Sequence, residues 1–409
     1  MYSQKINAKA IEEAKEKFSN IIQETPLEYS ARLSKKYGCN FFFKREDLQV
    51  IRSYKIRGAF NSINNLNEKD RKKGVVCASA GNHAQGVAVA CNFFKATGFI
   101  FMPKTTPLQK IERTKKFGGK YTQIILEGDS FDDAQKKALE FSDIKKLIYI
   151  APFNNQDTII GNGTVGLEIL KQIKGEQLDM IFVPIGGGGL ISGIGTYIKE
   201  RSPNTKIIGV EANGSASMKE AFKRNKPVKL EKIDTFADGV AVKKVGGMTF
   251  KIAKKVIDKI MVVPENRVCA TILKLLKEEG IILEPAGALS INAVRDFSKI
   301  DLKNKNVVCV LSGGNLDFNR LPNIKERYLY YKGLKKYLIV NFPQRPNALR
   351  EFVNCLGNED NVVDIYYSES EGQWGEARIN IQTGKKENFD KLYKKLNRAN
   401  IKFRESSHF

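Results

Sequence analysis

The first 320 or so residues of this 409-residue chain alternate between short apolar runs and longer amphipathic stretches. The amphipathic stretches, such as 190–201 and 269–279, have the spacing of helices. The apolar runs are rich in β-branched and aromatic residues and are predicted as strands at 41–43, 75–78, 99–102, 180–183, 206–210 and 307–311. Continuous apolar strands separated by helices indicate a largely parallel sheet that is buried on both faces. The pattern predicts an α/β fold.

The pattern of predicted strands and helices changes after residue 330. Predicted strands now alternate with polar loops and two predicted helices, at 346–356 and 387–397. The strands are predicted at 337–342, 362–367, 377–381 and 401–403. The resulting order, βαββαβ, is that of a ferredoxin-like domain. We therefore expect one domain over residues 1–330 and a smaller one over 335–409.

The composition favours an ordinary soluble protein, with 42% hydrophobic residues. No apolar run approaches the roughly 18 residues that a membrane-spanning helix needs. The first ten residues carry no apolar core after their lysines, so we expect no secretory signal and a cytoplasmic location. Neither a membrane nor an export machinery is expected as a partner.

The charge is strongly basic, with 68 Lys and Arg against 45 Asp and Glu. The basic residues are spread over helical segments beside acidic ones, without a basic arm or a platform of interleaved aromatics, so we expect no nucleic-acid partner. The six cysteines form no CxxC pair, and the only histidines are His83 and His408. A structural zinc site, a multi-histidine metal site or a Ser-His-Asp triad therefore has almost nothing to be built from, and no metal site is predicted.

The candidate chemistry centres on Lys55 in the segment 53–59. An isolated lysine is usually a solvated surface charge. Two distant segments change that interpretation: Ser-Ala-Gly-Asn-His at 79–83, and four successive glycines followed by leucine at 186–190. A glycine loop between a strand and a helix can wrap a phosphate, and a lysine amine can hold an aldehyde. Pyridoxal phosphate needs both an amine and an anion cup.

These segments, together with 44–49, 283–289 and 311–315, resemble the fold type II pyridoxal-phosphate enzymes, and most closely the threonine dehydratases (threonine ammonia-lyases). The resemblance runs over nearly the whole chain in family order. It implies a tryptophan synthase beta-like fold, with two parallel-sheet lobes in residues 1–330 and an ACT-like regulatory domain in 335–409. The segment 341–346 resembles the opening of that domain, although Asn347 stands where the family usually has glycine. One such domain fits the short biosynthetic form.

The resemblance also implies residue roles. Lys55 would hold pyridoxal phosphate and act as the catalytic base, with Tyr54 against the ring. Cofactor binding would involve Lys55, Asn82, Gly186, Gly187, Gly188, Gly189, Leu190 and Ser312, with Asn82 at the phenolic oxygen and Ser312 at the pyridine nitrogen. Ser79 and Gly81 would bind the substrate carboxylate. His83 is interpreted as a structural residue at a helix start.

The activity that the resemblance implies is conversion of L-threonine to 2-oxobutanoate and ammonia, the first step of isoleucine biosynthesis, with L-serine as a slower substrate. Isoleucine would inhibit, valine would counteract it, and the enzyme would be a homotetramer. A serine dehydratase or racemase on the same scaffold stays an alternative. Ala80 stands where racemases carry a second serine, and Ser217 stands where their metal site, matched by Glu211, has another carboxylate. A non-catalytic amino-acid sensor is the other alternative.

Overall fold

The structure is a computed structural model that describes residues 5–18, 20–368 and 373–406. The chain divides into two compact units, residues 1–317 and 318–409. Within the described ranges, no helix is both long and apolar enough to cross a bilayer. The strands in chain order are β1 Leu27–Tyr29, β2 Asn40–Lys44, β3 Val75–Ala78, β4 Gly98–Met102, β5 Thr122–Leu126, β6 Ile148–Tyr149, β7 Met180–Pro184, β8 Lys206–Ala212, β9 Lys259–Val263, β10 Asn306–Val310, β11 Lys335–Pro343, β12 Asp360–Ser368, β13 Trp374–Thr383 and β14 Lys402–Ser406.

The helices complete the alternation that the sequence pattern predicted. They are α1 Ala8–Glu16, α2 Ala31–Tyr37, α3 Lys55–Asn64, α4 Glu68–Lys73, α5 Asn82–Phe94, α6 Leu108–Gly118, α7 Phe131–Lys145, α8 Gln156–Gln172, α9 Gly189–Arg201, α10 Ser217–Arg224, α11 Gly247–Val256, α12 Glu265–Glu279, α13 Leu289–Val294, α14 Lys299–Leu302, α15 Leu321–Tyr331, α16 Ala348–Val353 and α17 Glu387–Arg398.

The first unit contains two sheets, and each sheet forms the centre of a lobe. The larger lobe has the strand order β1-β2-β10-β7-β8-β9, and the smaller lobe has β5-β4-β3-β6. Every pairing is parallel except that of β1 with β2, an antiparallel edge strand that the sequence pattern did not predict. The predicted two-lobed, largely parallel α/β architecture is confirmed.

Burial explains why the central strands are continuously apolar. All residues of β3 and β7 are buried, as expected for strands covered by helices on both faces. One apolar cluster fills the larger lobe around β7, β8 and α9, and another fills the smaller lobe around β3, α3 and α5. Helix α3 packs closely on α8: an added Cβ at Gly161 would lie 2.5 Å from the backbone oxygen of Arg57. This close packing fixes the helix that begins at Lys55.

The second unit carries the predicted ferredoxin-like order. Its antiparallel sheet has the order β12-β13-β11-β14, and α16 and α17 occupy the two crossovers of the βαββαβ path. Asn347 precedes α16 with φ 70°, the left-handed conformation that asparagine tolerates better than most residues. Asn347 therefore supplies the left-handed residue of the turn that precedes α16.

Helix α15 belongs to the second unit by its contacts, whereas the boundary expected at residues 330–335 placed it with the first domain. Its Glu326 carboxylate lies 2.5 Å from the Lys335 ammonium and 3.3 Å from the Tyr337 hydroxyl, both on β11. These polar contacts join the helix to the sheet, and a hydrophobic pattern carries no information about them.

Candidate active site

A cavity of about 1180 Å³ in the first unit brings most of the predicted site residues together. Its wall includes residues of both lobes, with α3, α5 and α6 on one side and the start of α9 on the other. The predicted residues that line it are Lys55, Ser79, Gly81, Asn82, Gly186, Gly187, Gly188, Gly189 and Leu190. Ser312 is the predicted residue that does not line it.

Lys55 is the first residue of α3. Its ammonium donates to the backbone oxygen of Pro152 at 3.0 Å and lies 5.3 Å from the centroid of the Tyr54 ring. Burial lowers the pKa of Lys55 to about 8, opposed in part by the negative charge of Glu284. A lysine with a neutral acceptor and a lowered pKa can supply an uncharged amine near neutral pH.

The four glycines connect β7 to α9 and leave a concave backbone. Gly188 has φ 90°, which favours glycine, and an added Cβ at Gly187 would lie 2.2 Å from the ring of Phe153. No side chain of the described residues caps the start of α9. Free N–H groups and the positive end of the helix dipole favour an anion here, so the loop fits the phosphate of pyridoxal phosphate.

The segment 79–82 leads from the end of β3 into α5. The Ser79 hydroxyl accepts a hydrogen bond from the Gly81 N–H at 3.2 Å. The Asn82 amide donates from Nδ2 to Glu284 Oε1 at 2.7 Å and accepts at Oδ1 from Asn315 Nδ2 at 2.6 Å. Both ends of this amide are thus held by residues of the larger lobe.

Ser312 lies behind the cavity wall, with only 3% of its surface exposed. Its backbone oxygen accepts from the Tyr54 N–H and from the Ser53 hydroxyl, both at 3.2 Å. Ser53 and Gly313 also form an isolated β-bridge. The end of β10 therefore holds the turn that precedes Lys55, and a contact between Ser312 and a ring nitrogen stays a prediction.

Sequence reasoning missed Glu284, Asn315, Pro152 and Phe153 as members of this site. Glu284 and Asn315 stood in segments that carried the family resemblance, but no role was assigned to them. Glu284 is 6% exposed, and burial raises its pKa to about 7, with nearby Asp238 acting in the same direction. A lone glutamate before proline gave no sign of burial, so no signal in the sequence marked its unusual environment.

His83 is buried just after the start of α5, where its Nε2 lies 2.8 Å from the backbone oxygen of Ile150. Burial lowers the pKa of His83 to about 3, and the positive charge of Lys55 adds to this effect. A neutral imidazole held by a backbone carbonyl agrees with a structural histidine.

The Glu211 carboxylate is held by backbone N–H groups. Its two carboxylate oxygens accept from the N–H groups of Met218 and Lys219 at 2.7 and 2.8 Å, and burial raises its pKa to about 7. Ser217 is fully buried beside it. Over residues 5–18, 20–368 and 373–406, no group of three or more His, Cys, Asp or Glu could hold a metal ion.

Comparison with known proteins agrees with this geometry. The family of pyridoxal-phosphate dependent enzymes matches residues 18–313, and the C-terminal regulatory domain of threonine dehydratase matches residues 326–408. The chain is 46% identical over 403 residues to the biosynthetic L-threonine dehydratase IlvA of Halalkalibacterium halodurans, which covers 98% of this chain and 97% of that one.

Solved structures give the same result. Threonine deaminase isoform 2 from Solanum lycopersicum superimposes with a TM-score of 0.74 at 42% identity, covering 78% of this chain and 92% of that one. Maize serine racemase superimposes with a TM-score of 0.72 at 30% identity, covering 80% and 98%.

The fold and the lysine–glycine cavity thus define a pyridoxal-phosphate-dependent enzyme of fold type II with a C-terminal regulatory domain. Within that class, the chain belongs to the family of biosynthetic L-threonine dehydratases.

Proposed function

We propose that this enzyme converts L-threonine to 2-oxobutanoate and ammonia for isoleucine biosynthesis. The observation that carries the proposal is the shared cavity of Lys55 and the glycine loop, in a chain 46% identical over 98% of its length to a biosynthetic L-threonine dehydratase. Lys55, which would supply the amine, and the glycine loop, which would bind the phosphate, line the same cavity.

Pyridoxal phosphate, when bound, supplies an electron-accepting ring that stabilises negative charge on the substrate Cα. Lys55 would hold the cofactor through its amine, and the N–H groups of Gly186 to Leu190 would hold the phosphate. Ser312, as a neutral hydroxyl, would meet the pyridine nitrogen without fixing a positive charge on it. The lowered pKa of Lys55 and the side-chain-free glycine loop support these assignments.

Lys55, with its amine uncharged, would take the proton from the substrate Cα. General bases of this kind work best when their pKa lies near the operating pH, and the lowered pKa of Lys55, about 8, meets that condition. Ser79 and the backbone around Gly81 would orient the substrate carboxylate at the start of α5. The β-hydroxyl would then leave with a proton as water, and the remaining enamine would be hydrolysed to 2-oxobutanoate and ammonia.

The second unit would bind isoleucine as an inhibitor, with valine as its antagonist, and the enzyme would act as a cytoplasmic homotetramer. L-Serine would be a slower substrate, because one methyl group changes binding in an apolar pocket by only about 1–3 kcal/mol. The match of residues 326–408 to the threonine dehydratase regulatory domain supports the effector site.

The decisive experiment measures 2-oxoacid formation from threonine and from serine, each with and without isoleucine. We expect threonine to be the better substrate and isoleucine to slow it. A protein that binds threonine but forms no 2-oxoacid would be a sensor, and a preference for serine would refute the substrate assignment.

Serine racemisation is a second candidate, because maize serine racemase shares the scaffold at 30% identity. In this chain Ala80 lines the cavity at the position of the second racemase serine and cannot return a proton. We expect no D-serine from the native enzyme and some from Ala80→Ser. D-Serine produced by the native enzyme would favour the racemase assignment.

A further inference from the structure

The amide of Asn82 connects the two lobes across the cavity. Asn82 begins α5, whose apolar face packs in the smaller lobe, whereas Glu284 and Asn315 belong to the larger lobe. Glu284 accepts from Asn82 Nδ2, and Asn315 donates to Asn82 Oδ1. Because one partner takes a hydrogen and the other gives one, the amide can adopt only one of its two flipped orientations.

Both larger-lobe partners are themselves fixed. The Glu284 N–H donates to the Gly313 backbone oxygen at 3.3 Å, and an added Cβ at Gly313 would lie 2.3 Å from Glu284 Oε1. The Asn315 amide also donates to the backbone oxygen of Ile51 at 2.7 Å. The second Nδ2 hydrogen of Asn82 has no acceptor within the described part of the chain.

We propose that Glu284 is a positioning residue, which together with Asn315 fixes the Asn82 amide across the cleft and leaves one Nδ2 hydrogen for the cofactor oxygen. This inference rests on the proposed function, since it assumes that the cofactor occupies the cavity. Glu284 acts through Asn82, and it does so only while the two lobes meet.

The charge of Glu284 has a separate consequence for Lys55. The charged or titratable groups that face Glu284 are Tyr54 and Lys55 at the start of α3, Lys110 and Arg113 on α6, and Asp238 in the loop before α11. The carboxylate raises the pKa of Lys55 against the effect of burial. Removing the negative charge should therefore lower the pH at which the Lys55 amine becomes reactive.

Two variants separate geometry from charge. Glu284→Gln keeps a carbonyl oxygen for Asn82 and removes the charge, whereas Glu284→Ala removes both. Glu231→Gln is the matched control, because Glu231 lines the same cavity but makes no hydrogen bond with Asn82. To follow the free amine, cofactor-free full-length enzyme is mixed briefly with pyridoxal phosphate at each pH, and the product at Lys55 is trapped with borohydride. The absorption band and threonine turnover are measured on the loaded full-length enzyme.

We expect Glu284→Gln to keep turnover within about threefold while its trapping midpoint moves to lower pH. Glu284→Ala should shift the absorption band and lose roughly 10–100-fold in kcat, as misplaced active-site groups do. An unchanged band and kcat in Glu284→Ala would overturn the proposal. A trapping midpoint in Glu284→Gln equal to those of the native enzyme and Glu231→Gln would refute the charge effect on Lys55. Should Glu284→Ala not fold, the band of Glu284→Gln decides: a band at the native position is expected because the carbonyl oxygen is kept for Asn82, and a band displaced from that of Glu231→Gln would overturn the proposal. Failure to trap the native enzyme at Lys55 would instead refute the proposed function.

Discussion

Lys44, which is fully buried, and Lys55, which is half-buried at the cavity, show how the environment divides one residue type between two tasks. The Lys44 ammonium lies 2.7 Å from the Glu168 carboxylate, whereas Lys55 donates to a neutral backbone carbonyl at 3.0 Å. Burial lowers the pKa of both lysines. At Lys44 the Glu46 and Glu168 carboxylates oppose this effect, and Glu168 also accepts a hydrogen bond from the ammonium, whereas the acceptor at Lys55 is a neutral carbonyl that stabilises the ammonium form less. Lys44 is therefore a structural cation, and Lys55 is the lysine that can present a free amine.

Replacement of Lys55 by alanine should abolish threonine-dependent 2-oxoacid formation. The loss should be at least about 10³-fold, since general-base catalysis alone contributes roughly 10²–10⁴-fold. Lys69→Ala is the control, because Lys69 is exposed on α4. Turnover that survives in Lys55→Ala would show that another group removes the Cα proton.

The pH dependence of cofactor capture should reflect the lowered pKa of Lys55. Only the uncharged amine reacts with the aldehyde, so the capture rate of cofactor-free enzyme should rise with pH and level off above about 8, the pKa that burial gives this residue. Stopped-flow absorbance measures the rate. A midpoint near the ordinary lysine value of 10.5 would contradict a buried amine.

At the scale of elements, the glycine loop depends on the absence of side chains. An added Cβ at Gly187 meets the Phe153 ring at 2.2 Å, whereas one at Gly247, the first residue of α11, meets nothing within 4 Å. Gly187→Ala should therefore displace the loop and weaken pyridoxal-phosphate binding by at least tenfold, with little change for Gly247→Ala. Equilibrium titration measures the affinity of each variant for pyridoxal phosphate. Equal affinities in Gly187→Ala and Gly247→Ala would show that the loop does not bind the phosphate.

A buried ionic network joins β2, α3 and α8 beneath Lys55. The Arg57 guanidinium contacts Glu46 at 2.8 Å and Glu168 at 2.7 Å, and Lys44 contacts the second oxygen of Glu168. All four side chains are fully buried. The network orients the helix whose first residue is Lys55.

Glu168→Gln should destabilise the protein by about 3–5 kcal/mol, because it removes the carboxylate that Lys44 contacts and leaves Glu46 as the one buried carboxylate of the network for two buried cations. Glu220→Gln, which breaks an exposed pair with Arg224, should change little. The cations lower the pKa of Glu168 to about 2, so its contribution is present above about pH 4.5 and is lost as pH falls towards 2. Denaturant unfolding at pH 7 and pH 3 measures both effects, and equal loss in both variants would contradict the network's role.

At the scale of the whole molecule, the candidate active site and the regulatory domain belong to different units of the chain. The active-site cavity lies within residues 1–317, and the regulatory match lies within 318–409. Each unit has its own hydrophobic core. The active site could therefore keep its residues if the second unit were removed.

Deletion of residues 318–409 should remove isoleucine sensitivity while part of the threonine activity is kept. The cut follows the observed division, so that α15 leaves together with β11, its partner through Glu326 and Lys335. A cut after residue 334 would separate them and should give a less stable protein. If the protein that retains only residues 1–317 were still inhibited by isoleucine, the effector site would lie in the first unit.

Several features of the fold could be predicted from the local sequence. Continuous apolar strands predicted parallel sheets, and the βαββαβ order predicted the second unit. These features depend on residue type and spacing, which a chain displays without folding. Lys55 and the glycine loop were predicted as site residues because an amine and an anion cup together suit pyridoxal phosphate, and Asn82 was predicted from the family resemblance.

The tertiary structure alone decided what happens between distant segments. It placed Ser312 behind the cavity wall, moved α15 into the second unit, and brought Glu284 and Asn315 onto Asn82 from the other lobe. Burial, pKa and hydrogen-bond partners depend on residues that are far apart in the chain, and their distances are set only by packing. The sequence determined which groups could do the chemistry, and the fold determined which of them meet.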